Sequence, residues 1–446
     1  MMSDELQATS GCHWTESLGI RFIIRSFALA VQPSAWCLAV VGIVLTVVWG
    51  GLLDVIWSPQ GGIADSAIQQ TFAAAGSGES HTEPAGDLGI FEVFKKHEAA
   101  AVTGLMSLSS PGADTAAPVS RVGCLIAMGQ GVGWMFSAHP LYALLFFAGA
   151  LLIWSVSGGA ICRMAAVALT TDERITAIDA WEYVKPRLFG GFVLAPCIPL
   201  VFVLVVAILL ALGGLVMGIP VLGDLLGGMA FGLAILGGGV VVALLLGLGL
   251  GGSLLWPAVA VDGSDSFDAF SRSVSYVFTK PWKTGLYAVG TFVLGALCWW
   301  GVRWGLFAAL SVTRAVAGFG MSLFGWWGRG EDGSNKLERI WAIAGPGSLH
   351  AWPDWSQLAW YECLSAVLVG LAVLLAISFV WGFLASFYFS GSTAVYLLLR
   401  HDVDATDFGD LYEDDDALAA APTESLAGGT ESTAKSEPED PKPDKT

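Results

Sequence analysis

The chain has 446 residues, of which 55% are hydrophobic and only 13% charged. A soluble domain carries about a quarter charged residues, so the composition excludes an ordinary water-soluble enzyme and points to an integral membrane protein. Most of the net charge of −17 is local: residues 402–446 hold fourteen Asp and Glu against three Lys. The remainder is close to neutral and offers no basic surface for nucleic acid.

Residues 1–16 are polar, begin with acidic residues and do not read as a cleavable signal. Residues 17–32, SLGIRFIIRSFALAVQ, set Arg21 and Arg25 about one helical turn apart among Phe, Ile and Leu. That pattern predicts a helix in the headgroup layer. A first span follows over 35–57, closed by a tryptophan. Residues 58–139 read as an extramembrane region whose middle, AAAGSGESHTEPAGD, is small, polar and disordered by composition. On either side, 90–108 and 119–136 read as amphipathic helices, with Phe91, Phe94, His97 and Ala101 on one face of the first.

Five more apolar stretches are long enough to cross a bilayer: 141–167, 192–217, 225–256, 286–312 and 362–399. The expected fold is therefore all-α, a polytopic bundle of about six spans with interfacial amphipathic helices. Arg and Lys place the connections. Arg163, Arg174, Lys185 and Arg187, then Arg272, Lys280 and Lys283, and finally Arg400 mark the inner face, whereas the turn 218–224 has none. The loop 313–361 carries four basic residues and weakens this asymmetry without reversing it. Both termini are expected in the cytoplasm.

Two inner connections resemble each other. Residues 158–191 and 251–285 align at an offset of 93, matching Gly158/Gly251, Gly159/Gly252, Ala165/Ala258, Asp172/Asp265, Tyr183/Tyr276 and Val184/Val277. Two inserted residues then bring Lys185-Pro186 onto Lys280-Pro281. The reading is a tandem parallel repeat, units 141–217 and 225–312, with each Lys-Pro opening a span. Its polar elbows make a candidate cytoplasmic interaction surface: Asp172, Glu173, Arg174, Lys185, Asp265, Ser271, Arg272 and Lys280. The same charges would equally serve as helix caps and headgroup contacts. Small-xxx-small pairs that let helices approach closely include Gly214/Gly218, Gly228/Gly232 and Gly247/Gly251.

Sharper chemistry finds little footing. The seven cysteines form no CxxC pair, and the six histidines are scattered, so no metal or other cofactor is expected. Gly247-Leu-Gly249-Leu-Gly251 lies inside an apolar span, where a phosphate loop has no place. Nine of nineteen tryptophans fall between Trp299 and Trp360, a distribution that predicts an aromatic belt at the outer interface. Asp402, Asp404, Thr406, Asp410 and Glu413 sit at calcium-loop positions, but Asp407 occupies the place of the obligatory glycine. The segment reads as the start of an acidic, disordered tail over 401–446.

Three stretches, GGAICRMAAVAL with the following DERI, SRSVSYVFTKPW, and STAVYLLLRHDVDATD, resemble a family of uncharacterised bacterial multipass inner-membrane proteins over residues 86–415. The second is also similar, more weakly, to the membrane domain attached to glycerophosphodiesterases. The resemblance implies an inner-membrane location and no catalytic residues. The expected function is a non-enzymatic membrane scaffold or assembly factor, meeting the lipid bilayer and a membrane-protein partner or second copy. A transporter or lipid-handling protein with a cavity between the repeats is the alternative.

Overall fold

Proline opens three of the long helices. In a computed structural model of the chain, α2 (Pro33–Ile56), α5 (Pro140–Thr170) and α11 (Pro281–Leu323) all have proline as their first residue. There its fixed φ suits the helix and its missing N–H costs nothing. The structure describes residues 19, 21–57, 89–106, 121–220, 222–323, 336–341 and 358–412. The stretch 73–87, the tail beyond Tyr412, Cys12 and the tryptophans 326, 327, 352 and 355 lie outside them.

The remaining elements are α1 (residues 21–30), α3 (Ile90–Met106), α4 (Arg121–Ala138), α6 (Ala177–Arg187), α7 (Leu194–Met217), α8 (Leu222–Gly251), α9 (Leu255–Asp262), α10 (Ser266–Thr279), α12 (Lys336–Ile340) and α13 (Trp360–Asp404). A π turn, Leu188–Val193, joins α6 to α7, and a single 3-10 turn, Gly252–Leu254, joins α8 to α9. No strand occurs among the described residues. Six helical segments are long and apolar enough to cross a membrane, and the architecture is an all-α helical bundle. The chain divides into a unit of Met1–Leu411 and a short unit of Tyr412–Thr446.

Glycines facing large rings set the helix contacts of the bundle. An added Cβ at Gly149 would stand 2.2 Å from the Trp49 indole, joining α5 to α2. One at Gly382 would stand 2.5 Å from Val40, joining α13 to α2, and one at Gly295 the same distance from Phe387, joining α11 to α13. At these positions the missing Cβ makes room for a large side chain of the next helix, and such van der Waals packing drives helix association in lipid.

The main core lies at the end of the bundle where α5, α9 and α13 converge. Ala160–Leu169, Leu254–Val261 and Ala394–Leu399 supply most of it, with Tyr183, Val184, Tyr276 and Val277 from the amphipathic α6 and α10. Phe22 and Leu29 of α1 are buried in the same cluster, and Arg25 pairs with Asp172. This helix is thus docked on the protein core.

The hairpin of α7 and α8 is different. Its two helices pack on each other, with Gly237 against Leu210 and Gly227 against Met217. Its main attachments elsewhere are the π turn, α9 and α10 at the core end. Along the rest of its length, leucine, valine and isoleucine face outward on both helices.

Helix α3 shows the buried face its sequence predicted: Ile90, Phe91, Phe94, His97 and Ala101 are all buried. Asp54, at the end of α2, accepts from the backbone N–H groups of Phe91 and Glu92 at 3.0 and 3.3 Å. It satisfies the orphan donors of the first turn of α3 from another helix, as an N-cap residue would. At its other end α3 reaches the side of α11, where Arg303 donates to Thr103 Oγ1 at 3.5 Å. The helix therefore bridges α2 and α11.

Two expectations are corrected. Trp299 is 1% exposed and packs with Phe383 and Phe387 in the bundle interior, so this tryptophan is core and not part of an interfacial belt. The two Lys-Pro pairs also play different roles. Pro281 opens α11 after a break at Lys280, whereas Pro186 lies inside α6. An internal proline removes a helical hydrogen bond, and the chain widens at once into the π turn and continues into α7.

Candidate functional site

The most highly ordered chemistry lies at the core end, built around the last turn of α9. That helix stops because Gly263 adopts a left-handed φ of 62°, its N–H still donating to Val259 O at 3.1 Å, and the buried carbonyls of the last turn are left short of helical donors. Side chains from elsewhere cover them. Tyr183 donates its hydroxyl to Val259 O at 2.8 Å, and Arg163 Nη1 donates to Ala260 O at 2.9 Å. The Tyr183 ring lies between two guanidinium groups, Arg163 at 3.9 Å and Arg187 at 4.2 Å from its centroid.

Asp262, the final residue of α9, is the centre of a charge network. Its carboxylate meets Arg400 Nε at 3.1 Å and Arg272 Nη1 at 3.2 Å, and accepts the Tyr396 hydroxyl. Arg272 also pairs with Asp268 one turn away, at 2.9 Å. Arg400 extends the network by donating to Asp410 O at 2.6 Å.

A second knot ties the end of α13 to the start of α11. Lys283 Nζ lies 2.6 Å from Asp402 Oδ1, and the Tyr287 hydroxyl donates to Asp402 Oδ2 at 2.9 Å. Lys280 donates to the Asp402 carbonyl, and Tyr276 donates to Asp404. Phe408 then folds back to stack on His401 at 4.3 Å and on Phe22 at 4.7 Å.

These contacts revise the reading of 401–446 as a disordered tail. Residues 401–404 are helical, and Phe408 and Leu411 pack against the core. Asp402 and Asp404 project from a helix onto lysine and tyrosine, so their oxygens do not converge. No group of His, Cys, Asp and Glu able to hold a metal occurs among the described residues.

The predicted elbow residues divide into two sets. Asp172, Arg272 and Lys280 are bound into the molecule by the contacts above, as ties between elements. Glu173, Arg174, Lys185, Asp265 and Ser271 lie on the surface, with Asp265 capping α10 through the Asp268 N–H at 2.8 Å. Thr176 and Asp179 form a reciprocal capping box at the start of α6.

The glycine pairs divide likewise. Gly247 faces Val274 at 3.4 Å and Gly251 faces the Ser273 backbone at 3.4 Å, so both pack against α10. Gly214, Gly228 and Gly232 would carry a Cβ into open space, and Gly218 meets only the carbonyl of Leu215 in its own turn. Among the described residues these four join no helix to another.

Asp262, Tyr396, Arg400, Asp402 and Asp404 did not emerge from the sequence as site residues. Their signal was the run Arg400-His-Asp402-Val-Asp404 directly after an apolar span, where alternating charges mark a helix end seeking partners.

No protein-family model, curated protein or solved structure matches the chain.

Proposed function

We propose that this protein is a non-enzymatic integral membrane scaffold of the inner membrane, with both termini in the cytoplasm, that holds a partner's membrane helix against its α7–α8 hairpin. The observation that carries the reading is the hairpin itself. It is anchored at one end through Gly247 and Gly251, while Gly214, Gly228 and Gly232 meet no neighbour among the described residues. Bare glycine turned to lipid gains little, whereas small residues i and i+4 apart admit a second helix at close range.

The anchor supports the same reading. The core end sets five aspartates (Asp262, Asp268, Asp402, Asp404, Asp410) against four cations (Arg272, Lys280, Lys283, Arg400), nearly all joined across different helices. Such a base is stiff and almost neutral, as befits a mount more than an ion-binding centre.

The test is site-specific photo-cross-linking in cells. A photoreactive residue at Gly232 should yield one discrete protein adduct that is lost when Gly228 is replaced by leucine, while one at Gly237, which faces Leu210, should yield none. Labelling of lipid alone at every outward position of the hairpin would overturn the scaffold in favour of the lipid-handling alternative.

The orientation has its own check. It rests on the Arg and Lys of the two elbows, including Arg174, Lys185, Arg272 and Lys280. A cysteine replacing the exposed Ser271 should resist a membrane-impermeant thiol reagent in intact cells and react after the cells are opened. Reaction from outside would invert the topology.

A further inference from the structure

Glu98 of α3 stands apart from the charge networks of the core end. Its Oε1 is shut off from solvent with no hydrogen-bond partner among the described residues. It faces α4 at Gly131, where an added Cβ would stand 2.4 Å from this oxygen and 2.7 Å from the neighbouring His97 ring. His97 is buried as well, with Nε2 2.8 Å from the carbonyl of Ala127. One turn of α4 thus closes over two titratable side chains of α3, in a gap that only glycine leaves open.

A half-buried carboxylate, with one oxygen shut off from water and from any donor among the described residues, is disfavoured as an anion. Burial pushes the Glu98 carboxyl up from 4.5 to about 7. The charged groups around it offer little relief. On α3, Lys95 and Lys96 are drawn to Glu92 at 2.5 and 3.9 Å. From α2, Asp54 is engaged at the first turn of α3, and from α11, Arg303 reaches Thr103. On α4, Arg121 is exposed at the first position, and Cys124 faces Gly104. Between α4 and α5, His139 meets the Trp134 ring edge-on, and α5 itself presents Tyr142, bound to Asp54.

We propose that Glu98 is a proton-operated lock between α3 and α4: protonated, it lets the helices close over Gly131 and His97, and ionised, it drives them apart. The sign follows from linkage. The closed pair holds the proton more tightly than the open one, so closure is fully favoured below about pH 4.5 and is lost as pH rises through about 7. Across that window the opening equilibrium should rise about tenfold per pH unit. Because α3 ties α2 to α11, opening would loosen that bridge.

A native thiol reports on the event. Cys124, 2% exposed, lies on α4 where an added Cβ at Gly104 of α3 would stand 3.0 Å from its sulfur. In the full-length protein in detergent, alkylation of Cys124 by N-ethylmaleimide is followed by peptide mass spectrometry. Each rate is divided by that of Glu98→Gln at the same pH, which cancels the thiol's own titration. The ratio should be near one at pH 5 and at least about tenfold higher at pH 8. His97→Gln should keep the rise. Gly131→Ala, whose methyl displaces the carboxyl group, should hold the pair open and alkylate at pH 5 as fast, relative to Glu98→Gln, as the native chain does at pH 8. A flat ratio, a rise abolished by His97→Gln, or a native pH profile in Gly131→Ala would each overturn the lock.

Discussion

Replacing Asp262 by alanine should cost about 3–5 kcal/mol of stability, more than any other single change in the charge network. The Asp262 side chain is 5% exposed and that of Arg400 only 11%. Removing the carboxylate leaves the nearly buried Arg400 guanidinium with Asp410 as its one remaining acidic partner among the described residues, and takes the acceptor from the Tyr396 hydroxyl. Asp262→Asn keeps an acceptor for Tyr396 and should lose less. Arg272→Ala should lose less than about 1 kcal/mol, because the Arg272 side chain is 40% exposed and Asp262 keeps Arg400. Thermal unfolding in detergent, read as loss of the monodisperse peak in size-exclusion chromatography, should rank the variants in that order. If Arg272→Ala were the most damaging of the three, the buried pair would not be the centre of the network.

The network also shows which parts of the molecule were legible in the chain. Span positions follow from uninterrupted apolar runs, and all six expected stretches recur as long helices. The face of α3 was legible because Phe91, Phe94, His97 and Ala101 keep helical spacing in an otherwise polar setting. Partner choice was not. Asp262 closes an apolar span in the sequence and looks like a helix end meeting water; only the arrival of α13, 134 residues later, brings Tyr396 and buries it. Glycine spacing likewise names no partner. Regular i, i+4 pairs such as Gly228/Gly232 face outward, while isolated glycines such as Gly149 and Gly295 receive a ring. What a glycine packs against is set by the opposing helix, and local spacing carries no information about that helix.

Arg163 provides the second large effect. It emanates from α5 yet covers the terminal carbonyls of α9, and its partner in this task, Tyr183, comes from α6. Arg163→Ala should cost about 3 kcal/mol: an unmet carbonyl at Ala260 accounts for about 1–3, and the lost packing of its buried stem for the rest. Lysine should recover only part of this, since it can donate once but cannot lie flat on the Tyr183 ring at the 3.9 Å seen for the guanidinium. Arg187 stacks on the same ring at 4.2 Å from a half-buried position, and Arg187→Ala should cost no more than about 1 kcal/mol. The discriminating measurement is a double-mutant cycle between Arg163→Ala and Tyr183→Leu, scored by thermal unfolding. A coupling of about 0.5–3 kcal/mol is expected if the two side chains act as one cap. Additive losses would mean that each merely fills space, and α6 would then be held to α9 by its apolar face alone. A coupled pair would make the first elbow a clamp on the second, so that Tyr183→Leu also loosens α9 and with it the mount on which the α7–α8 hairpin stands.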